Sequence, residues 1–353
     1  MPRSILFISV LSAALSCTPA DPVDDPSAKQ TAPSQSHLNQ RFVAMLDEIG
    51  VTFATLDHYL GTVYDRLPEG NAVLNQMISE IVVKQHAQRL GLVVDDKAVE
   101  AAMAEAEAEV RRQSEGKESL SDKLSADVEQ EELRSGFHLM LLLEKVVRVE
   151  QSFAPKTEVG ADVMGAWLEE EVEKITPVAH PLTEPIAYAV LDTDITRQSM
   201  GRRLRAVLPR ETVVGVTNEV LGIALVSKEA ARRGITITTE AATEEVLERE
   251  VRVRAHPATQ GYTYGQVVEL ATHRTLEEVL QSKKFATEVL LRLITEQEWD
   301  ESRAEEFYTE NRGLFQGTSE ELDYATHRLA VWKEIRQRTY QDLHQKVRIV
   351  RRQ

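Results

Sequence analysis

The sequence has little cysteine, few aromatic residues and a shortage of positive charge. Cys17 is the only cysteine among 353 residues, so no intramolecular disulfide can form. Aromatic residues make up 5% of the chain and charged residues 28%, a composition typical of a helix-rich protein with a strongly solvated surface. The formal net charge of −16 argues against a nucleic-acid surface, because phosphate binding requires a surplus of Lys and Arg. It also gives no attraction to anionic lipid and is most simply a solubilising surface.

Patterns of common catalytic and metal sites are missing as well. The nine histidines show no His-x-x-x-His or Cys/His spacing for zinc. The sequence contains no Gly-x-Ser-x-Gly turn to present a nucleophile and no glycine-rich phosphate loop. Acidic runs such as residues 169–171 are typical of a solvated helix face rather than of a calcium loop, which needs a turn glycine. We therefore expect neither a metal nor another cofactor.

Residues 1–16 have the features of a signal peptide. Arg3 provides the charged start, and residues 5–11 form an apolar segment that is too short to span a bilayer. The following sequence Ala-Leu-Ser-Cys, ending at Cys17, resembles a bacterial lipobox, which implies lipid attachment at Cys17. The alternative is ordinary cleavage that leaves Cys17 as a free thiol. Residues 17–40 are rich in Pro, Ser, Asp and Gln and predict a flexible tether.

A predicted helix pair with a glycine corner lies between residues 74 and 109. Apolar residues follow the spacing of one helical face up to Gly91, which is placed to end the first helix in a left-handed conformation. Asp95 or Asp96 then caps a second helix, in which Val99 opens the apolar face. The sequence therefore predicts two helices that meet at Gly91.

The same pattern occurs a second time around Gly234. Gly234 precedes Ile235 and Ile237 as Gly91 precedes Leu92 and Val94, and Thr52 and Thr196 occupy matching positions as helix N-caps. Further elements are predicted as a helix over residues 128–149, a strand over 186–191, one helix over 275–294 and a final helix over 333–346. A last short strand is predicted over 347–350. We interpret the pattern as an internal duplication.

The helix pair resembles the N-terminal chaperone domain of the SurA, PpiD and PrsA group of secreted folding factors. The resemblance implies a mainly α-helical fold with a few short strands, built from two tandem SurA-N-like domains. The domains would span residues 41–175 and 186–353, with a proline-rich linker over 176–185 because three prolines in this stretch cannot continue a helix. In these relatives the C-terminal helix packs back on the N-terminal domain, and a similar closure is expected here.

Many relatives also carry a parvulin prolyl-isomerase domain, and its motifs are not found in this sequence. The nearest approach is residues 325–329, Ala-Thr-His-Arg-Leu, which leave too few residues for the rest of such a domain. We interpret them as a coincidence or a remnant, within a segment over 324–332 predicted to be extended. No enzyme activity is expected, although a degenerate prolyl isomerase remains an alternative.

The resemblance implies an ATP-independent chaperone that binds unfolded or extended polypeptide in the cell envelope. It would be anchored through Cys17, at the outer membrane facing the periplasm, and assist secreted or outer-membrane proteins. Met and aromatic side chains suit a promiscuous cleft because they repack easily. The candidate cleft residues are Phe53, Tyr59, Phe137, Met140, Trp167, Trp299, Phe307 and Tyr308. The alternatives are that these side chains form the core, and that the protein is a scaffold for one envelope partner.

Overall fold

The computed structural model describes residues 42–46, 49–115, 117, 119–120, 130–155, 157–315, 324–345 and 349–351. The fold is mainly α-helical with little strand, as the sequence predicts. The predicted signal peptide, Cys17 and the tether lie outside the described residues and stay predictions.

Two β-hairpins of equal register each lead into a helix. In the first, β1 (Phe42–Leu46) pairs antiparallel with β2 (Ile49–Thr52), and in the second, β4 (Ile186–Val190) pairs with β5 (Thr193–Thr196). Every paired residue of one hairpin corresponds to a paired residue of the other at a constant difference of 144 in residue number, as between Phe42 and Ile186. Both hairpins also carry their register shift at the same place, after Phe42 and after Ile186.

Threonine caps begin the helices that follow, as predicted. The backbone N–H of Thr55 donates to Oγ1 of Thr52 at 3.1 Å, at the start of α1 (Phe53–Val63). The N–H of Ser199 donates to Oγ1 of Thr196 at 3.0 Å, at the start of α6 (Arg197–Val207). Each cap satisfies a backbone donor that the first helical turn leaves without a partner.

A third strand completes each sheet. The last strand, β6 (Ile349–Arg351), pairs antiparallel with β1, and the two-residue strand β3 (Val178–Ala179) pairs antiparallel with β4. The hairpin residues that receive these strands correspond as well, since β6 lies beside Ala44 and Met45 and β3 lies beside Tyr188 and Ala189.

The two predicted glycine corners have the same backbone geometry. Gly91, with φ of 65°, ends α2 (Pro68–Arg89), and Gly234, with φ of 68°, ends α7 (Arg210–Arg233). At the first corner the N–H of Leu92 donates to the carbonyl of Ala87 at 2.8 Å, and at the second the N–H of Ile235 donates to Ala230 at 2.9 Å. These are the bonds of a Schellman cap, which favours glycine because of the positive φ.

Capped helices follow both corners. Asp95 caps α3 (Asp96–Gln113) by accepting from the N–H of Ala98 at 2.7 Å, which decides between the two predicted aspartates. Thr238 caps α8 (Thr239–Ala255) by accepting from Ala241. A further helix then packs against both helices of each pair: α4 (Gln130–Glu150) against α2 and α3, and α11 (Lys283–Glu298) against α7 and α8.

Five more helices and one helical turn complete the described residues. The first is α5 (Ala161–Glu173), which packs on α2 and α4. The others are α9 (Tyr264–Thr272), α10 (Leu276–Leu280), α12 (Glu301–Glu310) and α13 (Tyr324–Gln345), with a 3₁₀ turn at Arg312–Leu314.

Two expectations for the C-terminal part were wrong. The helix predicted over residues 275–294 is interrupted, because α10 ends at Leu280 and Ser282 caps a new helix by accepting from Phe285 N–H at 3.2 Å. The segment predicted to be extended over 324–332 is the beginning of α13. Buried residues at 331, 335, 339 and 343 recur every four positions, which is the spacing of one helical face, and the segment forms the first turns of this helix. The final strand is present as β6, although residues 347 and 348 lie outside the described residues.

The described residues divide into two compact units. Unit 1 contains Asp57–His180 and Glu184–Pro209, and thus α2 to α5, the sheet of β3, β4 and β5, and α6. Unit 2 contains the described residues up to Leu56, Pro181–Thr183 and the chain from Arg210 onward, and thus the sheet of β1, β2 and β6 with α7 to α13. The assignment of residues 41–175 and 186–353 to two copies of one domain stays a prediction.

Candidate functional site

The eight residues predicted to line a cleft lie four in each unit. Tyr59, Phe137, Met140 and Trp167 belong to unit 1, and Phe53, Trp299, Phe307 and Tyr308 belong to unit 2. Tyr59, Phe137, Trp167, Phe307 and Tyr308 are buried, Met140 and Trp299 are half-buried, and Phe53 is 37% exposed. The five buried side chains are packed in cores, which was the alternative interpretation. Contact of any of the eight with a polypeptide stays a prediction.

In unit 1, Trp167 fixes α5 to α2. Its ring lies edge-on to the ring of His86, with centroids 5.1 Å apart and planes at 88°. The other edges of the His86 ring face carboxylates, with Nδ1 3.3 Å from Glu150 and Nε2 3.5 Å from Glu171. The indole is therefore part of a packed and hydrogen-bonded junction between helices.

Unit 2 contains a continuous aromatic cluster on α12 and α13. Phe307 lies edge-on to Trp299 at 5.7 Å and to Phe315 at 6.3 Å, and Tyr308 stacks on His327 at 5.5 Å. The term aromatic cluster refers below to Trp299, Phe307, Tyr308, Phe315, Tyr324, His327 and Trp332. Trp299, Phe315, Tyr324 and His327 are half-buried, so the cluster has a solvent-accessible side as well as a packed one.

Arginine side chains lie over the faces of these rings. The guanidinium carbon of Arg303 is 5.0 Å from the centroid of Trp299, that of Arg312 is 5.7 Å from Tyr308 and that of Arg338 is 4.6 Å from Phe307. Each such contact contributes about 0.5–1 kcal/mol where it is exposed. Aromatic faces beside cations can contact apolar, aromatic and acidic side chains, which is the chemistry that an extended polypeptide offers.

Titratable groups at the edge of the cluster keep one charge state near neutral pH. Glu301 accepts from Arg328 Nε at 2.6 Å and from the Tyr324 hydroxyl at 2.8 Å. The Arg328 guanidinium lowers the pKa of Glu301, while burial, with the Glu301 carboxylate beside it, raises the pKa of Tyr324 to about 12. The carboxylate is therefore ionised and the phenol neutral at physiological pH, a pairing that suits structure and not proton transfer.

The segment with a distant likeness to a parvulin strand lies in this cluster. Residues 325–329 form the second to sixth positions of α13, and the ring of His327 is stacked on Tyr308 with planes 24° apart. A helix cannot supply the strand that the parvulin motif requires. The likeness is therefore limited to residue types.

A buried acid–arginine cluster in unit 2 was not predicted. Glu245, 2% exposed, accepts from Arg249 Nε at 2.9 Å, and Arg336 Nη1 lies 3.5 Å from its other oxygen. Arg336 also donates to Glu248 at 2.5 Å, and Arg292 donates to the backbone carbonyl of Ala241 at 2.6 Å. The cluster joins α8, α11 and α13. The sequence signal, Glu and Arg four residues apart, is the same as that of an exposed helix face.

Three arginines of α6 form a second unpredicted set, in unit 1. Arg197, fully buried, donates to Asp65 at 2.9 Å, and Arg205 donates to Asp57 at 2.7 Å. Arg203 forms a bidentate pair with Glu80 of α2, with one distance of 2.8 Å. Paired, planar hydrogen bonds of this kind hold the helices in one orientation.

The part of the chain that the structure describes contains no group of three or more His, Cys, Asp or Glu side chains placed to hold a metal ion. None of its helices is long and apolar enough to cross a membrane.

Comparisons with known proteins give no relative. No family model matches the chain, and no curated protein or solved structure is similar to it. The likeness to the SurA group therefore depends on the residue pattern and stays a prediction.

Proposed function

We propose that this protein is a lipid-anchored chaperone of the cell envelope that binds unfolded or extended polypeptide without ATP. The observation that carries the proposal is the repeated helix–glycine–helix corner, because the resemblance to the SurA group depends on this element. Both corners have the same cap bonds and a positive φ at Gly91 and Gly234. We attribute the repetition to two tandem SurA-N-like domains.

The buried positions of the corner helices support the duplication. At a constant difference of 143 in residue number, as between Gly91 and Gly234, buried residues of α2 correspond to buried residues of α7. The pairs are Met77 and Val220, Ile78 and Leu221, Val82 and Leu225, Val83 and Val226, and Ala87 and Ala230. Two helices that bury the same positions are expected from one ancestral unit.

An ion pair lies at the end of each corner helix. Arg89, at the end of α2, pairs with Glu150, the last residue of α4. Arg233, at the end of α7, lies 2.5 Å from Glu298, the last residue of α11. The two arginines do not occupy matching positions, because the glycine corners align Arg89 with Arg232, so the proposed duplication does not depend on these pairs.

The proposed binding surface is the solvent-accessible side of the aromatic cluster together with Phe53. Client segments would contact rings and cations there and leave when their own folding buries the same side chains. Because such contacts are weak individually and spread over a surface, binding would be reversible. The predicted lipid at Cys17 would hold the protein at the membrane, facing the periplasm.

Aggregation of an unfolded client tests this function. The protein from residue 39 onward is mixed at near-stoichiometric ratio with a chemically unfolded outer-membrane β-barrel protein, without ATP, and light scattering is followed. We expect clear suppression of scattering. No suppression by a folded sample, as judged by circular dichroism, would refute the chaperone function.

Variants at exposed positions locate the surface. Phe53→Ser should weaken suppression, because Phe53 is 37% exposed and its loss removes apolar contact area. Leu270→Ser is the matched control, since Leu270 is 66% exposed and lies on α9, outside the predicted set. Equal effects of both substitutions would show that Phe53 has no special part in binding.

A scaffold for one fixed partner is the second candidate. The burial of five of the eight predicted cleft residues favours it, because it leaves less aromatic surface for promiscuous contact. A scaffold would leave the aggregation of unrelated clients unchanged.

A further inference from the structure

Each unit is assembled from both halves of the chain. Taking His180 as the end of the first half and Glu184 as the start of the second, unit 1 combines first-half helices α2 to α5 with second-half β4, β5 and α6. Unit 2 combines second-half helices α7 to α13 with first-half β1 and β2. Each sheet likewise joins the opening hairpin of one half to the closing strand of the other.

We propose that the two halves are obligate partners that exchange their opening segments, so that neither half completes a unit alone. The opening segment of the first half is β1, β2 and the start of α1, and that of the second half is β4, β5 and α6. This inference is independent of whether the protein binds polypeptide.

The second half supplies a large part of the buried surface of unit 1. Met200 and Leu204 of α6 are fully buried, and α6 packs on α2 of the first half. Arg197 adds hydrogen bonds to both ends of the break between the halves, donating to the carbonyls of His180 at 3.1 Å and Glu184 at 3.0 Å. Without the second half, α2 would expose an apolar face and a buried carboxylate, Glu80, would lose its arginine.

The first half supplies unit 2 in the corresponding way. In this sheet, β1 lies between β2 and β6. Among the described residues, β1 is therefore the one strand of the sheet that pairs with β6. Both strands of the hairpin also pack on α7, where Val51 is 1% exposed and Leu56 fully buried. Removal of the first half would thus leave β6 without a strand to pair with and uncover α7.

Charge distinguishes the partner half from a second copy of the same half. When the two hairpins are aligned by their register, Arg203 of the second half matches Tyr59 of the first half. When the two glycine corners are aligned, Glu80 of the first half matches Ile223 of the second half. In a self-paired second half, Arg203 would face the apolar Ile223. In a self-paired first half, Glu80 would face Tyr59. A buried charge without an opposite charge is strongly destabilising, so the halves select each other.

Cleavage of the folded protein tests the proposal. A protease recognition sequence is inserted in the full chain between Leu182 and Thr183. Pro181 and Thr183 are exposed in this stretch. After cleavage, the two fragments should elute together at 1:1 on native size exclusion, with unchanged helicity, and separate only in denaturant. Fragments that separate under native conditions, or that precipitate on cleavage, would overturn the proposal.

A charge-swap series shows whether the association depends on the exchanged segment. Arg203→Glu should raise the fragment dissociation constant by about a hundredfold or more, because the pair with Glu80 is buried and crosses between the halves. The double variant Glu80→Arg with Arg203→Glu should recover part of that loss.

Arg233→Glu is the matched control for this series. Its partners Glu229 and Glu298 lie in the same half, so the substitution should leave the fragment dissociation constant nearly unchanged. An Arg203→Glu effect no larger than that of Arg233→Glu would contradict exchange through α6.

Discussion

At the scale of single residues, Glu245 shows how a charged side chain can belong to a core. It is 2% exposed, and Arg249, Arg252, Arg292 and Arg336 all approach its carboxylate within 3.7 Å. The pairing repays the desolvation of these ions only while the carboxylate is present. Glu245 is therefore a point on which the packing of α8, α11 and α13 depends.

Glu245→Gln is expected to lower the free energy of unfolding by about 3 kcal/mol, because it keeps the shape of the side chain and removes the most deeply buried counter-charge of the arginines. Arg336 keeps its contact with Glu248, and Arg292 keeps Glu244 and Glu296. Denaturant unfolding followed by circular dichroism measures the change. Glu305→Gln, the same substitution at an exposed position of α12, should change it by less than about 0.5 kcal/mol. If the two variants unfolded alike, the cluster would be screened by solvent and not a buried network.

At the scale of elements, glycine residues allow α1 and α6 to cross at a short distance. Gly201 of α6 lies against the backbone of α1, where an added Cβ would overlap the carbonyl of Asp57 and come within 2.8 Å of Gly61 N. Gly61 in turn lies against the carbonyl of Arg197. Because the contacted atoms belong to a helix backbone, they cannot move aside as a flexible side chain would.

Gly201→Ala should therefore destabilise the protein by about 1–3 kcal/mol or more, since the helices must separate to admit the methyl group. Gly165→Ala is the control: Gly165 lies inside α5 with nothing within 4 Å of the added atom, and alanine there should stabilise by about 0.5–1 kcal/mol. Thermal unfolding of both variants gives the comparison. A stabilising effect at Gly201 would mean that the close crossing is not required.

The elements also show what the sequence could predict. Local signals were sufficient for the caps at Thr52 and Thr196 and for the corners at Gly91 and Gly234, because each depends on residues within one turn. The break at Ser282 required a choice between one continuous helix and a new cap. The burial of Arg197 and Glu245 could not be predicted, since an arginine or glutamate on a helix is ordinarily exposed. The partners that reveal the burial are distant in sequence: Asp65 for Arg197, and Arg292 and Arg336 for Glu245.

At the scale of the whole molecule, the pairing of strands that are distant in sequence was the least predictable feature. A hairpin pattern gives the register between adjacent strands, but it does not say which distant strand joins the sheet. Here β1 is joined by β6, from the opposite end of the described chain, and β4 is joined by β3. A change in β1 should consequently alter the stability of β6.

Removal of β1 and β2 measures this dependence. A protein that begins at Phe53 is expected to lose amide protection from hydrogen exchange in β6 and α7, because β6 loses its strand partner and α7 loses its cover. The protein that begins at residue 39 keeps both strands and serves as the reference. Protection in α3 of unit 1 should be nearly equal in the two proteins, because neither strand belongs to that unit. If lost protection were confined to α1, the first strands would be a local extension and the closing strand would not depend on them.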